Sequence, residues 1–450
     1  MLSADFKTPY IYQHINCIME KYKSIIEKIN FFAFLGLLAS LPYPLPFIKF
    51  FWYAWIVTWL LEFRYIGQIQ LPKHRGLLYL SGGIFVWLLW NSISICWADN
   101  TQAAQNLLLR YASMLTIPFI GVFGLNTYYD WRKCFKVLSI SCLTSIGVYM
   151  FTHYWVVNHL YAFDKHSVHN IVDIDWWHMS ELLLNIKHRM HYSSLLCMLF
   201  PCLAIIYPKI GKIPTIVTSI VLLLAILMTG SRIAWIYFIV IAIITIGWIV
   251  LPGKKGWIKG LGVGLAIIVI ALGTVLGMLV HPRNGGQSIT EMIRVNEDNP
   301  VNPAFEPRMA IWHVALEQPK DYIAHGFGAG NATDYLVHRY QQYGWDGYIG
   351  RHFSPHNQYL GVCMDLGIIA TILFIIFWIG IPFMFTGTQR YWVLCATAIS
   401  MCSMMTEMLL GGLEGIVFVV VMAVLGYLLP TTNFRDVRLS SPNSISAHKE

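Results

Sequence analysis

The sequence predicts an all-α polytopic integral membrane protein with about 12 transmembrane helices and one large extramembrane loop containing short helices. Three observations predict it. Of 450 residues, 56% are hydrophobic and only 12% charged, about half the charged share of an ordinary soluble domain. Apolar runs long enough to cross a bilayer recur along the chain, and the connections between them alternate between basic and non-basic. The same composition excludes an ordinary soluble enzyme and a disordered or fibrous chain.

The runs fall at 30–46, 47–63, 76–97, 107–125, 134–155, 190–207, 213–230, 232–251, 260–280, 357–384, 391–410 and 412–429, near the roughly 20 residues a span requires. Pro42, Pro44 and Pro46 crowd the end of the first, where a bent or re-entrant turn is expected. Aromatic residues make up 15% of the chain, with 17 Trp and 24 Tyr, as suits belts at two membrane–water interfaces. Nine cysteines lie mostly inside apolar runs without CxxC spacing and read as small core residues.

Basic residues decide the orientation. Arg64, Lys73 and Arg75; Arg132, Lys133 and Lys136; Lys209 and Lys212; Lys254, Lys255 and Lys259; and Arg390 occupy every second connection, with Arg435 and Arg438 in the tail. The positive-inside rule then puts both termini in the cytoplasm. The expected layout is a cytoplasmic N-terminus at 1–29 without a removable signal peptide, and spans over 30–280 interrupted by a loop at 156–189. A large loop at 281–356, spans over 357–429 and a cytoplasmic tail at 430–450 follow. In a bacterium both long loops are periplasmic, and the formal charge of +8 marks orientation and predicts no nucleic-acid partner.

Four places invite chemistry. Ser231-Arg232 joins two apolar runs with almost no loop between them. A cation there is costly unless it meets a cavity or an anion, or snorkels to headgroups. Arg308 follows Pro307 in the first turn of an expected three-turn helix that stops before Pro319. Free N–H groups and the helix dipole favour an anion at that end, and a guanidinium adds a bidentate fork; a surface bridge to Glu306 is the plain alternative. His356 follows Ser354-Pro355 at the start of a span, where a helix N-terminus keeps imidazole neutral, as a general base must be. Seven histidines lie between His153 and His191, with Asp164, Asp173, Asp175 and Glu181 among them. They lack metal-ligand spacing, and no metal or cofactor is expected. Lys187-His-Arg189 ends that loop, with Arg189 as a third candidate cation. The glycines of 326–330 mark a turn-rich stretch and not a dinucleotide fingerprint, and the aromatic segment 335–353 is expected to lie on the membrane surface.

Together these residues resemble the bacterial O-antigen ligase family, within a wider group of polytopic ligases, polymerases and oligosaccharyltransferases. Thr229-Gly-Ser-Arg232 looks like its arginine motif, and Glu306-Pro-Arg308-Met-Ala-Ile-Trp312 like its loop arginine. His356-Asn357 followed by nine residues and Gly367 fits its His-Asn-x9-Gly pattern. The likeness is strongest over 215–370 and only topological before that. It implies transfer of O-polysaccharide from undecaprenyl diphosphate to a sugar hydroxyl of lipid A–core. The resemblance further implies that the reaction takes place at the periplasmic face of the bacterial inner membrane, without metal. Arg232, Arg308 and Arg189 would hold the donor diphosphate, His356 would act as base, and Asn357, Gly367 and Trp312 would support them. The His-rich loop matches none of the family's motifs, which weakens the assignment of Arg189. A polymerase using the same donor is the main alternative, followed by a protein O-glycosyltransferase and, from another class, a transporter of lipid-linked glycan; paired broken helices expected of a transporter are not evident.

Overall fold

Prolines set the first hairpin. Helix α1 (Thr8–Ser40) stops where Pro42 and Pro44 follow, and α2 (Leu45–Ile66) starts at once, so the chain reverses instead of bending. Helix α1 also reaches back through most of the segment expected as an N-terminal extension. The hairpin closes on buried polar side chains: Asn30 donates to the Trp55 carbonyl (3.1 Å) and accepts from the Tyr129 hydroxyl, to which Trp55 Nε1 donates (2.8 Å). Inside an apolar layer such groups find partners only in one another.

The computed structural model describes residues 8–66, 74–117, 119, 129–159, 189–229, 231–249, 307–350 and 352–432, and no strand occurs among them. After the hairpin come α3 (Arg75–Ser94), α4 (Thr101–Ala112), α5 (Trp131–His159), α6 (Arg189–Ile210), α7 (Lys212–Met228) and α8 (Arg232–Ile249). Then follow α9 (Pro307–Glu317), α10 (Ala332–Tyr343), α11 (Gln358–Gly380), α12 (Gly387–Met404) and α13 (Leu413–Leu428). Three stretches among the described residues, Arg75–Trp97, Trp131–Thr152 and Gln358–Met384, are long and apolar enough to cross a membrane; five more apolar helices are shorter. Rows of exposed apolar side chains, Phe85, Val86 and Leu89 on α3 and Ile369, Ile372 and Ile376 on α11, give these helices lipid-facing surfaces. The run at 260–280, most of the loop at 156–189, residues 281–306 of the second loop and most of the tail lie outside the described residues.

The described part of the run at 107–125 belongs to a helix that opens before the run does. Asn100 caps α4 by accepting from the Ala103 N–H (3.0 Å), so the helix begins at Thr101 and gives way to a 3-10 turn at Ser113–Leu115. Its buried positions, Ala104, Leu107 and Tyr111, make it amphipathic. Five of the cysteines, 134, 142, 197, 202 and 395, are buried as expected, whereas Cys96 is exposed.

The loop elements form a core of their own. Ile311, Val314 and Ala315 of α9 pack with Leu336 and Tyr340 of α10 and with Trp345 and Tyr348. The aromatic segment expected on the membrane surface is therefore turned inward. At the rim, burial pushes the Glu317 carboxyl up, but the Tyr343 hydroxyl and Arg339 guanidinium outweigh it and hold it below its usual range.

This core is locked to α11 by an interruption in that helix. Gly367 is non-helical (φ 84°, ψ 174°), and the freed backbone groups pair with the segment before α10. Phe327 and Gly328 donate to the Met364 and Asp365 carbonyls (2.8 and 2.9 Å), and Ile368 donates to the Ile323 carbonyl (2.9 Å). Backbone N–H groups of Gly330, Asn331 and Ala332 converge on the buried Asp365 carboxylate. The two strands of chain approach so closely that a Cβ on Gly326 (φ 74°) would lie 2.3 Å from the Asp365 carbonyl oxygen. Gly344 (φ 68°) caps α10 with open space around it. Gly326→Ala is therefore expected to cost more than about 3 kcal/mol, combining left-handed strain with a backbone clash. Gly344→Ala should cost about 1 kcal/mol, from strain alone. Thermal unfolding of the detergent-solubilised chain measures the difference.

Candidate functional site

Pro307 at the first position of α9 fixes the helix start and puts Arg308 in its first turn, as the sequence predicts. Glu306, the alternative partner, lies outside the described residues. Arg308 Nε donates to the Thr406 carbonyl (2.9 Å), and its Nη2 bonds Oε1 of Glu407. Arg308 is 34% and Glu407 13% exposed, so the pair is partly shielded and stronger than a surface bridge.

The other oxygen of that carboxylate, Oε2, takes Nδ1 of His356 at 2.9 Å. A carboxylate only accepts, so Nδ1 carries the proton. In neutral imidazole Nε2 then keeps its lone pair. The helix itself starts one residue later than the sequence reading supposes. Asn357 is the cap, its Oδ1 accepting from Tyr359 and Leu360 (3.0 and 3.1 Å), and His356 precedes it with φ 46°. A left-handed conformation in a non-glycine residue costs about 1–2 kcal/mol, held here by the bonds on either side. Trp312 of α9 donates through Nε1 to the Pro355 carbonyl (2.9 Å), joining the arginine's helix to the histidine's turn. His352 shares the positive φ (47°) but is exposed.

The turn between α12 and α13 is the third component. Gln358 accepts from the Leu410 N–H (2.9 Å), and Arg110 of α4 donates to the Gly411 carbonyl (3.0 Å), which fixes the turn from both sides. Glu407 and Arg110 are the residues that sequence reading missed. Glu407 is the one acid in the apolar run 391–410, and an ionisable residue in such a run marks a functional site by default.

The remaining candidates are placed by backbone. Tyr237 and Thr245 of α8 meet Ser403 and Tyr391 of α12 (2.6 and 2.8 Å), an antiparallel register that starts α8, at Arg232, at the end of the bundle where α12 stops. Ser193 of α6 reaches Thr229 (3.2 Å) and Cys197 reaches the Ala234 carbonyl (3.6 Å), so Arg189 begins α6 at the same end. The side chains of both arginines lie outside the described residues. Gly367 serves the helix interruption. Residues 160–188, with most of the His-rich loop, lie outside the described residues. Among the described residues no three His, Cys, Asp or Glu side chains gather as metal ligands.

Comparison with known families converges on the same stretch: a family model described as O-antigen ligase matches residues 217–375. Over these residues, about a third of the chain, the protein is similar to the O-antigen ligase family. No curated protein matches the chain significantly. The family match encloses Arg232, Arg308, Trp312, His356, Asn357 and Gly367, and the segment carries the motifs on which the resemblance rests. Members of the O-antigen ligase family are glycosyltransferase-like membrane enzymes of the ligase and polymerase type. Glu407 and Arg110 fall outside the matched residues; Glu407 bonds Arg308 and His356 within them, and Arg110 holds the turn that carries Glu407.

Proposed function

We propose that the protein is an O-antigen ligase. It transfers O-polysaccharide from undecaprenyl diphosphate to a sugar hydroxyl of lipid A–core, at the periplasmic face of the bacterial inner membrane. One observation carries this reading: at the stretch similar to this family, a guanidinium and an imidazole flank a single carboxylate. An anion holder and a proton acceptor thus stand side by side.

The reaction is a single displacement. The acceptor oxygen attacks the anomeric carbon while Nε2 of His356 takes its proton, and the bond from that carbon to the diphosphate oxygen breaks. The electron pair leaves on the diphosphate, and the configuration at carbon inverts. Arg308, with Arg232 and Arg189 as further cations, stabilises the departing charge, so fixed guanidinium groups do the work of a divalent cation. A glycosidase would need two carboxylates astride the bond; here the carboxylate orients the base instead.

A lipid-borne donor is supported by an apolar groove of about 260 Å³ between α3 and α11, lined by Gly82, Trp87, Trp90, Leu373, Phe377 and Leu410 among others. Leu410 belongs to the same turn as Glu407, so the groove runs from the membrane-spanning helices towards the site. Its lining suits a prenyl chain.

Deletion of the gene and analysis of lipopolysaccharide test the assignment. Loss of O-chain from lipid A–core with accumulation of lipid-linked polymer is expected; a core capped by a single repeat identifies a polymerase. At equal membrane abundance, Arg308→Lys should lower transfer by about 10²-fold or more, because the bidentate fork is lost; wild-type rates would return Arg308 to a structural role. Transfer by the purified protein should persist in excess chelator. Loss with chelator and recovery with Mg²⁺ or Mn²⁺ would assign the charge stabilisation to a metal.

A further inference from the structure

The carboxylate of Glu407 is divided between two groups that the reaction needs for different purposes. Oε1 is on Arg308 and Oε2 on His356. An arginine paired with a carboxylate is a poorer anion receptor than a bare one, since an arriving diphosphate must displace the charge already there. Both backbone and guanidinium are tethered independently of that pair. Glu407 N–H donates to the Ser403 carbonyl (3.0 Å), and Arg308 Nε stays on the Thr406 carbonyl (2.9 Å). The carboxylate can therefore leave Nη2 by side-chain rotation while both residues keep their places.

We propose that Glu407 is a positioning residue that couples donor binding to the base: a diphosphate arriving at Arg308 displaces the carboxylate, which then serves His356 alone. With its charge no longer shared, Glu407 stabilises the imidazolium that forms when His356 accepts the hydroxyl proton. The device makes the site bind donor before it activates the acceptor, and it weakens the donor's hold while doing so. It rests on the reading of Arg308 as diphosphate ligand and His356 as base.

The consequence is a pair of effects opposite in sign. In Glu407→Gln the side chain keeps its length and one accepting oxygen but loses its charge. Donor affinity should rise about threefold, the size of a partly exposed ion pair, while kcat falls about 10²-fold, the share usually due to a well-supported general base. Glu407→Asp, which restores the charge on a shorter arm, should recover part of kcat and return donor affinity towards wild type. Binding is measured with undecaprenyl diphosphate and the full-length protein in nanodiscs, separately from transfer. Weaker binding and lower kcat together, with a lowered melting temperature, would reduce Glu407 to a structural bridge and overturn the proposal. So would an unchanged kcat. If wild-type protein fails to bind undecaprenyl diphosphate, the diphosphate reading of Arg308 falls and this coupling with it. If wild type binds and transfers but Glu407→Gln binds no tighter, only the coupling falls.

Discussion

A helix broken inside an apolar layer must have its freed N–H and C=O groups satisfied by the protein itself, and the rest of the candidate site hangs on how this chain meets that demand at Gly367. The segment from Tyr322 to Ala332 supplies the missing partners, backbone to backbone, and the Asp365 carboxylate collects the N–H groups that open α10. Glycine is required on both sides of the contact, because a Cβ on Gly326 would strike the Asp365–Leu366 backbone and a Cβ on Gly367 the Ala324–His325 backbone. The loop core is thus bolted to a membrane helix through main-chain bonds, which side-chain motion does not loosen.

From that bolt the geometry propagates. With α10 fixed, α9 packs on it through Ile311, Val314 and Ala315, and Trp312 carries the position of α9 to the Pro355 carbonyl. The turn containing His356 is then held between this bond and the Asn357 cap. The turn after α12 closes the arrangement from below, tied by Gln358 on one side and by Arg110 on the other. On the proposed reading such rigidity is what the site requires, since a base and an anion holder act together only if their spacing is fixed.

Much of this was legible in the sequence, for local reasons. Pro307 and Pro319 bracket a helix whatever surrounds it, and paired prolines after Ser40 end another. The His-Asn-x9-Gly pattern is legible because two of its members have backbone duties: Asn357 caps α11, and Gly367 adopts a dihedral that other residues resist. The aromatic segment 335–353 was misplaced on the membrane because composition reports that rings are amphipathic and not which surface receives them; α9 and α10 together receive Tyr340, Trp345 and Tyr348. Glu407 escaped for a different reason. Its partners are 99 and 51 residues away in the chain, and no periodicity encodes such a meeting. Position alone gives the helix N-terminus to His356, but the cap goes to Asn357 and the imidazole meets a carboxylate.

The chain order of the three components has a bearing on biosynthesis. Arg308 and His356 lie on segments made before Glu407, and the turn that carries Glu407 is completed only once α12 and α13 have been made. Ribosomal synthesis releases a membrane protein from its N-terminus onward, so a nascent chain that has already inserted its arginine and histidine still lacks the carboxylate joining them. On the proposed reading, the site therefore stays incomplete in the nascent chain until the turn between α12 and α13 has been inserted.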